Sequence, residues 1–121
     1  MAKKILIVDD EPDVLKLAVF RLKKAGYEIL TAFDGQKALS LIRNEKPDLI
    51  LLDLRLPILD GPEVCKQVKN NEELKQIPII LFTATLDAAV AEKAKELGAS
   101  DFILKPFDSE ELLEKITSIL E

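Results

Sequence analysis

At 121 residues, 48% of them hydrophobic, the chain can bury one compact core and is too short for two, so a single domain over residues 1–121 is expected. Seventeen Lys and Arg against 22 Asp and Glu give a net charge of −5 with no block of either sign, which disfavours direct contact with nucleic acid. Histidine is absent, which removes Ser-His-Asp catalysis, the usual zinc sites and phosphohistidine carriage, and no apolar run approaches the ~20 residues of a membrane span; a soluble, cytoplasmic protein is expected.

The first predicted strand, "KILIV" (Lys4 to Val8), runs directly into Asp9 and Asp10. A helix follows, with Pro12 suited to its first turn, Leu15, Ala18, Val19 and Leu22 on one face, and Gly26 at its end. The second strand is "EILTA" (Glu28 to Ala32), followed by a helix capped by Asp34. The third, "LILLD" (Leu49 to Asp53), is apolar throughout until it ends on a carboxylate. Asp60 with Glu63 marks the next helix start, and Cys65, between Val64 and Val68, reads as a buried structural thiol. The fourth strand, "PIILF" (Pro78 to Phe82), leads to Thr83, and Asp87 opens a helix rich in Ala88, Ala89, Val90, Ala91 and Ala94. A partner surface and alanine's plain helix propensity explain that composition equally well. The fifth strand, "DFILK" (Asp101 to Lys105), precedes a helix capped by Asp108, with Glu111 three residues on and Leu112, Leu113, Ile116, Ile119 and Leu120 inside it.

Strands apolar on both faces belong to a parallel sheet covered by helices. Five β-α units then make a doubly wound α/β fold, a three-layer αβα sandwich, because a barrel needs more strands. Ligands of such sheets sit at the carboxyl ends of the strands. Those ends carry Asp9, Asp10, Asp53, Thr83 and Lys105.

Three carboxylates brought close together repel, and a divalent cation together with Lys105 would relieve them. Mg²⁺ suits an oxygen-only set that leaves room for a phosphoryl oxygen, and a carboxylate can itself accept a phosphoryl group as an acyl phosphate. Asp53, at the end of the most apolar strand, is the candidate acceptor.

In order along the chain, "VDDEP", "LLDLRLPILDG", "LFTA" and "LKPF" resemble the response-regulator receiver domain, the CheY-like phospho-acceptor family of two-component systems, over essentially the whole length. The resemblance implies a flavodoxin-like (βα)5 fold with strand order 2-1-3-4-5. It implies a signalling protein rather than an enzyme, with Asp53 phosphorylated by a sensor histidine kinase or phosphotransfer protein. Mg²⁺ would be held by Asp10, Asp53 and the Arg55 backbone carbonyl, with Asp9 acting through water. Lys105 would pair with the phosphoryl oxygens and Thr83 would turn toward them. Small Ala84 and the Lys105-Pro106 step, which resembles the family's cis bond, would line the pocket. Phe102 would rotate inward as part of a switch that repacks the helix 4, strand 5, helix 5 face for a downstream protein target. Arg55 and Thr85 flank the pocket, where such positions tune phosphoryl hydrolysis in the family or are simply solvated. Monomer and phosphorylation-linked dimer both stay open. Phe102 stands where many relatives carry Tyr, and Leu56 where Met is frequent.

Two other readings compete. A Mg²⁺-dependent phosphohydrolase would use Asp9 as nucleophile, although Glu11 stands where that superfamily has a second Asp. A phosphate-independent interaction module would not need the intact set of Asp10, Asp53, Thr83 and Lys105.

Overall fold

The computed structural model describes residues 2–83 and 88–121, and for residues 88–91 it describes the backbone alone. Five strands alternate with five helices: β1 (Lys4–Val8), α1 (Pro12–Lys24), β2 (Glu28–Ala32), α2 (Gly35–Glu45), β3 (Leu49–Asp53), α3 (Gly61–Lys69), β4 (Ile79–Thr83), α4 (Ala88–Leu97), β5 (Asp101–Leu104) and α5 (Ser109–Leu120). All pairings are parallel, in the order β2-β1-β3-β4-β5. Among the described residues no helix is long and apolar enough to cross a membrane.

The two-residue period of a strand divides the core. Leu6, Val8, Ile50, Leu52, Ile79 and Leu81 meet Leu39 and Ile42 of α2 and Val64, Cys65 and Val68 of α3. Ile5, Ile7, Leu49, Leu51, Ile80 and Phe82 face the other way, toward Leu15, Ala18 and Leu22 of α1 and Leu112 and Ile116 of α5. The continuous apolar runs are therefore strands with helices on both sides. Every residue of β3 and of β4 is buried, the terminal Asp53 and Thr83 included.

Carboxylate caps start three helices, where the first N–H groups lack intrahelical partners. Asp34 accepts from Lys37 N–H, Asp60 from Glu63 N–H and Asp108 from Glu110 N–H. Asp87, expected to cap α4, lies outside the described residues. Helix α1 starts differently: Pro12 fills its first turn, and its N-cap Glu11 makes no side-chain cap bond. The boundaries of β4 differ by one residue from the sequence expectation. Pro78 has no N–H to give the ladder, while the Thr83 carbonyl still accepts Lys105 N–H at 2.7 Å. Lys105 thus stands just beyond the end of β5.

Candidate functional site

Adjacent strands β1 and β3 run side by side, with Val8 opposite Leu52. The residues that follow this pair, Asp9 and Asp53, therefore emerge together at the carboxyl edge, at the point where the strand order reverses. Asp9 is fully buried and Asp53 nearly so, at 7% exposure, whereas Asp10 and Glu11 are exposed. One carboxylate oxygen from each of Asp9, Asp10, Glu11 and Asp53 falls within a single group no wider than 4.8 Å. At that spacing each pair of ionised carboxylates repels by roughly 3–4 kcal/mol at an effective dielectric of about 20. The cluster needs positive charge.

Lys105 supplies part of it. Its Nζ lies 2.7 Å from Asp9 Oδ2, 3.0 Å from Glu11 Oε1 and 3.0 Å from Asp53 Oδ2. Burial alone would lower the lysine's pKa, but the contacts with Asp9, Asp53 and Glu11 outweigh it and raise it, so the ammonium stays charged. Burial also dominates at Asp9, whose carboxyl is pushed above the usual carboxylate range despite Lys105 and the Glu11 N–H. The short Asp9 to Lys105 approach is a charge contact without hydrogen-bond alignment, and among the described residues Asp9 Oδ2 has no aligned donor. A buried anionic oxygen lacking a donor, beside three further carboxylates, fits a hard cation such as Mg²⁺.

The remaining bonds hold the acidic residues in place. Asp9 Oδ1 accepts from Glu11 N–H at 2.9 Å, and Asp53 Oδ1 accepts from Arg55 N–H at 3.1 Å. These two short turns pin one oxygen of each carboxylate and leave the other facing Lys105. Gly61 lets the loop after β3 fold back, since a Cβ there would come within 2.5 Å of the Asp53 carbonyl and 2.7 Å of Leu54 Cα. Thr83, buried, ends β4 next to this edge.

Asp9, Asp10, Asp53, Thr83 and Lys105 are thus at the one edge where the alternation of strands and helices put them. The backbone N–H of Arg55 bonds to Asp53, while the Arg55 side chain is exposed. The Lys105–Pro106 bond is cis, and Pro106 is exposed. Phe102 is half-buried against the α4 side of the core, with Lys115 Nζ 5.8 Å from its ring centroid. Ala84 and Thr85 lie outside the described residues. The residue that sequence reasoning left out is Glu11, whose carboxylate joins both the cluster and the lysine. Its only sequence signal is its place directly after the Asp pair, which an ordinary helix start explains as well.

Comparison with known proteins agrees with this geometry. Residues 5–117 match the family described as response regulator receiver domain. The alkaline phosphatase synthesis transcriptional regulatory protein PhoP of Bacillus subtilis is 43% identical over 120 residues, which cover 99% of this chain and 49% of that protein. The chain therefore spans about half the length of this curated relative. A response regulator structure from Chloroflexus aurantiacus superposes with a TM-score of 0.95 at 36% identity, covering 99% of this chain and 98% of the other. The receiver domain of a sensor histidine kinase from Pseudomonas aeruginosa superposes with a TM-score of 0.90 at 29% identity, covering 98% of each chain, and holds a magnesium ion in its active-site cleft.

Proposed function

This chain belongs to the response regulator receiver domains, and we propose that it accepts a phosphoryl group on Asp53 from a partner histidine kinase or phosphotransfer protein. The observation that carries the proposal is the placing of Asp53 Oδ2 at 3.0 Å from the one ammonium that also meets Asp9 and Glu11. In the transfer, an Asp53 oxygen attacks phosphorus, the phosphorus–nitrogen bond of a phosphohistidine breaks, and an acyl phosphate forms. Lys105 lies where it can pair with the oxygens of the incoming group, and the Arg55 N–H orients the acceptor through Oδ1.

Asp10, Asp53 and the Arg55 carbonyl would hold Mg²⁺, with Asp9 reaching it through water. The bound ion would supply Lewis-acid neutralisation of the transferring group. The Pseudomonas receiver's magnesium and the donor-poor Asp9 Oδ2 support this assignment. Titration with Mg²⁺ followed by ¹H–¹⁵N NMR tests it: Asp53→Asn and Asp10→Asn should each weaken binding by tenfold or more, and wild-type affinity in both would overturn it.

Switching would follow from phosphorylation through Thr83 and Phe102, with Ala84 and Pro106 lining the pocket and the α4-β5-α5 face carrying the signal. The added charge biases an equilibrium between two packings. The half-buried position of Phe102 under Lys115 supports this, since the ring is neither locked in the core nor free of it. The role is that of a signalling acceptor in a single domain over residues 1–121, acting in the cytoplasm as monomer or phosphorylation-linked dimer. The phosphohydrolase alternative fares poorly, because Asp9 is fully buried with Oδ1 bonded to Glu11 N–H and Oδ2 against Lys105. An interaction module indifferent to phosphate would have no use for four clustered carboxylates, three of them against one lysine.

A further inference from the structure

Glu11 has no place in the ligand set proposed above, yet its Oε1 lies 3.0 Å from Lys105 Nζ, from a residue 94 positions away. A lysine ammonium has three N–H donors and no acceptor. Here it faces three carboxylates, those of Asp9, Glu11 and Asp53. Glu11 Oε1 and Asp53 Oδ2 each take one N–H at 3.0 Å, and Asp9 Oδ2, 2.7 Å away, closes a third side of the ammonium against a phosphoryl oxygen. One contact has to be exchanged.

Burial ranks the three. Asp9 is fully buried and Oδ2 has no aligned donor, so withdrawing the lysine would leave an uncompensated charge in the interior. Asp53 is the residue that carries the phosphoryl group in the reading above, so a lysine that follows the phosphoryl oxygens remains beside it. The Glu11 side chain is 60% exposed, and water replaces the ammonium there at little cost. Glu11 is therefore the contact that gives way.

We infer that Glu11 is a positioning residue, a tether that occupies one N–H of Lys105 until a phosphoryl oxygen takes it. The inference rests on Asp53 being the acceptor. While Glu11 holds the ammonium toward the start of α1, it opposes the contact between Lys105 and the phosphoryl group. Removing the tether shifts the balance toward the phosphorylated state. The substitution is structurally mild, because the N-cap of α1 uses no side-chain bond and the Glu11 N–H that serves Asp9 belongs to the backbone.

The test compares wild type, Glu11→Gln, Lys105→Gln and the double variant under saturating Mg²⁺ and acetyl phosphate, reading the ratio of phosphorylated to free protein by intact mass. Glu11→Gln should raise that ratio about 1.5- to fivefold, the range of an exposed ion pair, and the increase should vanish when Lys105 is already Gln. An unchanged ratio overturns the tether, as does the same increase in the Lys105→Gln background. A change confined to the Mg²⁺ concentration at half-saturation also overturns it, since Glu11 would then act on the metal. A second readout needs no phosphodonor: the ¹⁵Nζ resonance of Lys105 in metal-free protein should move in Glu11→Gln. Should the wild type take up no phosphoryl group, the reading of Asp53 falls, yet this resonance still decides the contact. A shift supports the tether and none overturns it.

Discussion

Lys105 Nζ lies 3.0 Å from Asp53 Oδ2, so that residues 52 positions apart, at the ends of two strands that do not pair, share one charge across β4. This contact reaches over the sheet edge and makes a single electrostatic unit of β1, β3 and β5. Removing its cation leaves buried Asp9 and Asp53 facing each other.

Lys105→Met should therefore destabilise the metal-free protein by about 3 kcal/mol, the cost of breaking a buried pair from one side. Excess Mg²⁺ should recover part of the loss, because an ion held by the proposed ligand set would favour the folded state. Urea unfolding with and without Mg²⁺ checks this, and a wild-type midpoint in the metal-free variant would speak against the shared-charge description.

Asp9 has the opposite sign. Its folded pKa is raised, chiefly by burial, above the ordinary value of 3.8, so the ionised form costs stability at neutral pH. That cost is relieved as pH falls through the raised value toward 3.8. Asp9→Asn, a neutral isostere, should then be more stable than wild type at pH 7 without metal, and the gap should close on acidification through that window. Urea midpoints at pH 7 and pH 4 decide; an Asp9→Asn protein less stable at pH 7 would contradict the argument.

The fold was legible because its signals are local. Runs such as residues 5–8 and 49–52 announce two-sided burial by lacking polar residues, and Asp34, Asp60 and Asp108 mark helix starts by a bond made within a few residues. Strand order is not local, and it entered only through family resemblance. Reading the strand ends collected Asp9, Asp10, Asp53, Thr83 and Lys105, since a parallel sheet gathers its carboxyl ends at one edge. Glu11 escaped because its partner is 94 residues away and nothing near it in sequence signals a lysine.

Cys65 is fully buried between α3 and the sheet, and burial pushes its thiol pKa up to about 11. With so little thiolate present, its reaction with a disulfide reagent at pH 8 should be at least a hundredfold slower in the folded protein than in urea. Comparable rates in the two states would show that α3 opens readily.

Gly61 sits where a Cβ would strike the Asp53 carbonyl and Leu54 Cα, both of them backbone. Gly61→Ala should lower stability by about 2 kcal/mol and slow phosphorylation more than it weakens Mg²⁺ binding, because the acceptor itself is displaced. Thermal unfolding and labelling rates at saturating Mg²⁺ check both, and unchanged labelling would mean that the loop yields instead.

The most direct measurement is the intact mass of the protein after incubation with Mg²⁺ and acetyl phosphate. One added phosphoryl group, absent in Asp53→Asn and absent when the metal is chelated, is the predicted result. No adduct in the wild type, or an undiminished one in Asp53→Asn, would contradict the assignment of Asp53 as acceptor.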